Sequence, residues 1–268
     1  MSVPVQLPVA WEPFTPRGVA AFAHARLSRL LVVQFVIASL AAVAVVGFFS
    51  NDIFPVVNTA IGNLPATGAI RDGRLDWPGK SPQLLSEGRY VAFIVDPGHT
   101  SQIRSTAHVQ IEFGRDTARF YSLLGYAEFK YPSDWIIAFN RTDLEPLWGA
   151  WEPECLAILI PAVVVGLMLC WAALATAYFL PAWLLGFMAN RHLNLRAAWK
   201  MSGAALLPGA LLLTAGAVLY SLDGLEPMQL GFLFSVHLVL GWIYLFISQL
   251  FLPRMDEVPR GNPFSLTS

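Results

Sequence analysis

Asp96, His99 and His108 are the one group of metal-ligand residue types close together in the central part of this chain. An Asp-x-x-His spacing sets two ligands around one turn, but a structural zinc site takes about four protein ligands and a catalytic one about three plus water. His108 is nine residues beyond His99 and no fourth ligand stands near. The expectation is a polar turn with exposed histidines, and no metal or other cofactor. Glu112 and Asp116 flank a predicted turn and should diverge, whereas general acid–base work needs groups converging on one substrate atom. His237 sits deep in an apolar block, and an intramembrane ionisable residue is by default a functional candidate. A proton relay needs partners, however, and no Asp, Glu, Lys or Arg shares any of the apolar blocks. We therefore expect a neutral His237 bonded across helices, to Thr176 or Thr214. Gln34 and Gln249 fall near corresponding ends of their blocks, where a bond joining the first helix to the fourth would contribute about 0.6–2 kcal/mol. Cys155 and Cys170 share one predicted helix, roughly 20 Å apart at ~1.5 Å per residue, too far for a disulfide. No phosphate-cradling loop, nucleophile elbow, zinc-protease signature or nucleic-acid module is present.

The elements that must position these residues follow from composition. Of 268 residues, 56% are hydrophobic and 13% charged, against about 25% charged in a soluble domain, and mean hydropathy is +0.55. The missing charge is concentrated in four uncharged blocks, Leu30 to Ser50, Cys155 to Asn190, Met201 to Leu222 and Pro227 to Pro253. A spanning helix needs about 20 apolar residues, so three blocks suit one crossing each. The second has 36 residues, roughly 54 Å as one helix. We expect it to span from Leu156 to Phe179, to break at Leu180-Pro181, where proline lacks a donor, and to continue as an interfacial segment over 182–200. The first block is too long for a secretory signal and lacks a small-x-small site, so it reads as a retained anchor. Phe14 to Arg29, with Val19, Phe22 and Leu27 among Arg17, His24 and Arg26, reads as a basic amphipathic helix lying on headgroups.

This predicts an all-α membrane bundle of four transmembrane helices with an α+β or mainly β domain inserted between helices one and two. The expected order is a cytoplasmic amphipathic segment over 1–29, helix one over 30–50, the extracytoplasmic domain over 51–154, a three-helix membrane region over 155–253 and a tail over 254–268. The insert reads as strands at Arg89 to Asp96, Val109 to Phe113, Ala118 to Leu124 and Tyr126 to Tyr131. A hairpin turns on Asp72-Gly73, a dipeptide that favours the positive φ of tight turns. Val91, Phe93, Val95, Val109, Ile111, Phe113 and Phe120 should share one buried face. With four crossings, one side carries eight Lys and Arg against three acids, and the other nine against fifteen. Cytoplasmic loops are enriched in Lys and Arg, so both termini are expected in the cytoplasm and the insert outside the inner (plasma) membrane.

The chain resembles a bacterial family of polytopic membrane proteins of unknown function, sometimes associated by name with maltodextrin use. The matching features are Pro16-Arg17 before the first span, the Gly-x-Ile-x-x-Gly-x-Leu hairpin from Gly68 to Leu75, the strand ending Ile94-Val95-Asp96, and the basic loop feeding a span with Leu207-Pro208-Gly209. Its second half also looks like the helical core of Yip-type membrane proteins. The resemblance implies no catalytic residues. The function expected from the residues themselves is that of a non-enzymatic accessory, assembly or sensory protein. Its partners are the lipid bilayer and other membrane proteins, with no nucleic acid and an unassigned small-molecule ligand. The alternative is a transporter or channel component using His237 and the proline-kinked helices.

Overall fold

The structure, a computed structural model, describes residues 11–98, 100 and 102–254. His99 and the tail beyond Arg254 lie outside the described residues, as does the start of the predicted 1–29 segment. Four helical stretches are long and apolar enough to cross a membrane: Leu27–Gly62, Arg141–Met188, Leu195–Ser221 and Pro227–Phe251. The chain divides into two compact units, one of residues 1–42 and 162–268, the other of residues 43–161.

The first unit is helical, and its core lies where the expected surface helix was placed. Helix α1 (Pro16–Ala21) is six residues long, with Thr15 capping it by accepting from the Gly18 N–H at 3.0 Å. Gly18 through Ala23 are buried, Val19 and Phe22 completely. They pack with Leu30 at the start of α2 (Leu27–Phe48) and with Met201, Leu207 and Leu245. Arg17, His24 and Arg26 stay exposed as expected, but Val19 and Phe22 pack into the helical core, because the apolar run from Val19 to Ala23 buries surface there.

Helix α2 continues past Ser50, where the sequence suggested an exit, through a π-helical turn at Phe49–Ile53 into α3 (Phe54–Gly62). Asp52 ends the uncharged block without ending the helix, and Pro55 sits in the first turn of α3, where its missing N–H costs nothing. The break expected at Pro181 is also absent. A single helix, α4 (Arg141–Met188), runs 48 residues and contains Pro146, Pro153, Pro161 and Pro181. Beyond Pro181, Ala182 and Gly186 are buried in the first unit, and packing of this kind overrides the local penalty of a lost donor. The helix stops at Asn190, whose φ of 53° is the left-handed geometry of a helix end.

The predicted interfacial segment over 182–200 is accordingly redistributed. Its start finishes α4, a turn follows, and Asn194 caps α5 (Leu195–Ala205) by accepting from the Ala197 N–H at 2.8 Å. Helix α6 (Leu207–Ser221) opens with Pro208 in its first turn, and the span Leu195–Ser221 is interrupted at Leu206 just before it. Helix α7 (Pro227–Ser248) begins with a reciprocal Glu226–Gln229 capping box and ends in a 3₁₀ turn, Gln249–Phe251.

The second unit is built on strands. β1 (Ala69–Arg71) and β2 (Arg74–Asp76) form the hairpin expected at Asp72-Gly73, whose φ values are 49° and 70°. The hairpin pairs with the short β8 (Ile137–Ala138). A second sheet has the order β3-β4-β5-β6-β7, from β3 (Gln83–Glu87), β4 (Val91–Val95), β5 (Val109–Phe113), β6 (Thr117–Ser122) and β7 (Gly125–Lys130). Strands β4 and β5 are parallel and the other neighbours antiparallel.

Register Phe93↔Ile111↔Phe120 sets the seven expected residues on one face. There Phe93, Val95 and Phe113 meet Ala60 and Leu64 of α3, Ile70 and Leu75 of the hairpin, and Phe139. The opposite face is buried as well at Ala92 and Ile94. A parallel pair needs a crossover, and the segment between β4 and β5 bonds along that face. Ser105 Oγ and the Thr106 N–H both donate to Glu87 Oε1, at 2.6 and 3.0 Å, and the Ser105 N–H donates to Gln110.

Candidate functional site

Gln34, Gln249 and His237 are placed apart rather than assembled. Gln34 on α2 is buried, with its amide nitrogen beside Gly203 of α5, close enough that a Cβ on that glycine would stand 3.3 Å away. Gln249 is buried where α7 ends and donates Nε2 to the Ala182 carbonyl of α4 at 3.0 Å. The bond is interhelical, but it ties the fourth span to the second, whereas the sequence suggested the first. The reason is Gly186 and Ala182, which open the α4 surface to a side chain lodged there.

His237 is half-buried, and its Nδ1 meets the Phe234 carbonyl of its own helix. Among the described residues it forms no bond to either expected cross-helix partner. Thr176 Oγ1 donates to Ala172 O and accepts from Trp199 Nε1, while Thr214 Oγ1 donates to Ala210 O. What α6 approaches at this position is backbone: a Cβ on Gly209 would stand 2.5 Å from His237 O. Sequence reasoning missed Ser202 and Ser248, both fully buried with hydroxyls that find no partner among the described residues. A serine in an apolar helix gives no pattern by which burial could be read.

In the second unit Asp96 is buried and accepts from the Thr100 hydroxyl at 2.9 Å. His108 packs edge-on to Tyr90, ring centroids 5.5 Å apart. Among the described residues no three His, Cys, Asp or Glu side chains are grouped as metal ligands would be. Glu112 is buried, whereas Asp116 stands exposed against Arg74 at 3.3 Å. Asn140 does structural work, capping α4 through the Asp143 N–H and donating to Gly68 O. Tyr131 donates to Gly114 O at 3.0 Å, and burial, with Asp116 adding its charge, pushes its phenol well above the usual range.

The most accessible chemistry of this unit is its free sheet edge. All six residues of β7 are exposed, and among the described residues no strand pairs with its outer side. The core face of the sheet emerges there: Phe120 and Phe129, rings 5.4 Å apart, are 37% and 59% exposed. The β6–β7 turn presents Leu123 and Leu124, the latter 97% exposed, and Trp135 and Ile136 follow β7 in the chain with most of their surface exposed. On the other face Arg119 and Glu128 pair at 3.3 Å, with Tyr121 opposite Tyr126. An open row of backbone donors and acceptors flanked by aromatic rings is the arrangement that accepts an added strand.

No protein-family model matches the chain, and neither the curated proteins nor the solved structures contain a significant match to it.

Proposed function

We propose that this is a non-enzymatic, multi-pass protein of the inner (plasma) membrane whose 43–161 unit binds an extended segment of another membrane protein along β7. The carrying observation is the six-residue edge strand, exposed throughout and bordered by Phe129, Leu124 and Trp135. Long apolar edges invite uncontrolled pairing and are usually short, covered or charged. This one keeps Glu128 and Lys130 but leaves its aromatic residues bare, which suits a regulated partner. Loop charge supports both termini in the cytoplasm and the β unit outside.

The test is photo-crosslinking in cells from probes at Tyr126 and Phe129, with a control probe at exposed Lys80. The reading predicts one discrete adduct from the β7 positions, absent from Lys80 and abolished when Tyr126 carries the probe in a Phe129→Lys background. Equal, diffuse adducts from all three positions would contradict it, and adducts with a second copy of this chain would replace the partner by self-association.

A further inference from the structure

At one end of the helical unit, four separate segments bring basic side chains together. Lys200 Nζ donates to the Ala25 carbonyl at 2.5 Å, which fixes it beside His24. The His24 ring feels the charges of both Lys200 and His192. Arg191 donates Nη1 to Leu252 O at 2.7 Å, its backbone bridges to Arg254, and the His192 N–H donates to Pro253 O at 3.0 Å. The Arg191 Nε–H is buried and has no acceptor. Among the described residues, no carboxylate pairs with Arg191, Lys200 or Arg254.

A cluster of Arg191, Lys200 and Arg254 with no paired carboxylate among the described residues is suited to a phosphate, since guanidinium and ammonium groups form charge-assisted bonds to its oxygens. The surroundings specify which kind. Phe187 and Met188 precede Arg191, Leu195 follows it, and Leu250 and Phe251 precede Arg254, all at least half or nearly half exposed. Apolar surface adjoining the cations suits acyl chains below an anionic headgroup, and basic pockets between membrane helices recognise such headgroups. We propose that this end of the bundle binds the phosphate of an anionic phospholipid, with Arg191 as its anchor and Lys200 and Arg254 supplying the field. The proposal rests on the membrane reading and is independent of what β7 binds.

The experiment uses the full chain in mild detergent and titrates phosphatidylglycerol, phosphatidylcholine or inorganic phosphate while the thermal midpoint is followed. Phosphatidylglycerol should raise the midpoint saturably and phosphatidylcholine should not. In Arg191→Gln the half-saturating phosphatidylglycerol concentration should rise about tenfold, the loss expected for one charge-assisted contact. Since that substitution also removes the bond to Leu252 O, Arg254→Gln serves as a second variant and should weaken the response in the same direction, whereas Arg71→Gln in the other unit should not. Equal shifts with both lipids, or an unchanged phosphatidylglycerol titration in both bundle variants, would overturn the site. A shift reproduced by inorganic phosphate alone would overturn its assignment to lipid.

Discussion

Gly209 and His237 show how a residue can matter through its backbone while its side chain does little. Helix α6 comes so near α7 that any side chain on Gly209 meets the His237 carbonyl. Gly209→Ala should therefore destabilise the purified protein by about 1–3 kcal/mol, the usual cost of overpacking. His237→Ala removes only a ring bonded within its own helix and should stay within roughly 0.5 kcal/mol. Thermal midpoints in detergent check the order, and a larger loss at His237 would return the ring to consideration. His24 gives a pH dependence. Partial burial, then Lys200 and His192, hold it below its ordinary value of 6.5. The folded protein thus takes up this proton less readily than the unfolded chain, so stability is lost as pH falls below about 6.5 towards the lower folded value. His24→Gln should flatten that decline, and a decline equally steep in the variant would assign it elsewhere. The polar residues themselves were legible in the sequence: Gln34, Gln249 and His237 stand out against apolar blocks. Their partners were not, because Ala182 O and Phe234 O are backbone groups that every residue carries.

Elements were readable where local chemistry decides them. Asp72-Gly73 turns the β1–β2 hairpin because both positions need positive φ, and Gly73→Val should destabilise the 43–161 unit by about 1–2 kcal/mol, since a β-branched residue tolerates the left-handed region poorly. Loss of hydrogen-exchange protection over β1, β2 and β8 would report it, and unchanged protection would contradict the strain argument. The alternation of β4 and β5 predicted their shared face. Their parallel pairing and the second buried face, with Ala92, Ile94 and Glu112, depend on a crossover between distant segments and leave no local mark. Strand β3 went unseen because Gln83-Leu84-Leu85-Ser86-Glu87 breaks the period of two at a register shift. At Pro181 and in the α1 region, local propensity pointed one way and tertiary burial the other. Pro181→Ala should consequently leave helix content unchanged, and a circular-dichroism gain in helix would show that proline does interrupt α4.

At the scale of the whole molecule, four stretches are long and apolar enough to cross a membrane, and the uneven loop charge supports the proposal that the basic loops lie in the cytoplasm and the 43–161 unit outside. The partner binding proposed for β7 depends on that sidedness. Charge counts are legible without any structure, because membrane insertion itself reads them. Which surfaces of the folded units stay bare was not legible, since exposure at β7 depends on what packs over the neighbouring strands. The direct measurement replaces Cys155 and Cys170 by alanine, introduces Leu124→Cys or Arg196→Cys, and treats intact cells with a membrane-impermeant maleimide. Leu124→Cys should be labelled in intact cells and Arg196→Cys only after permeabilisation. Labelling of both positions from the same side, or of Arg196→Cys alone from outside, would contradict it.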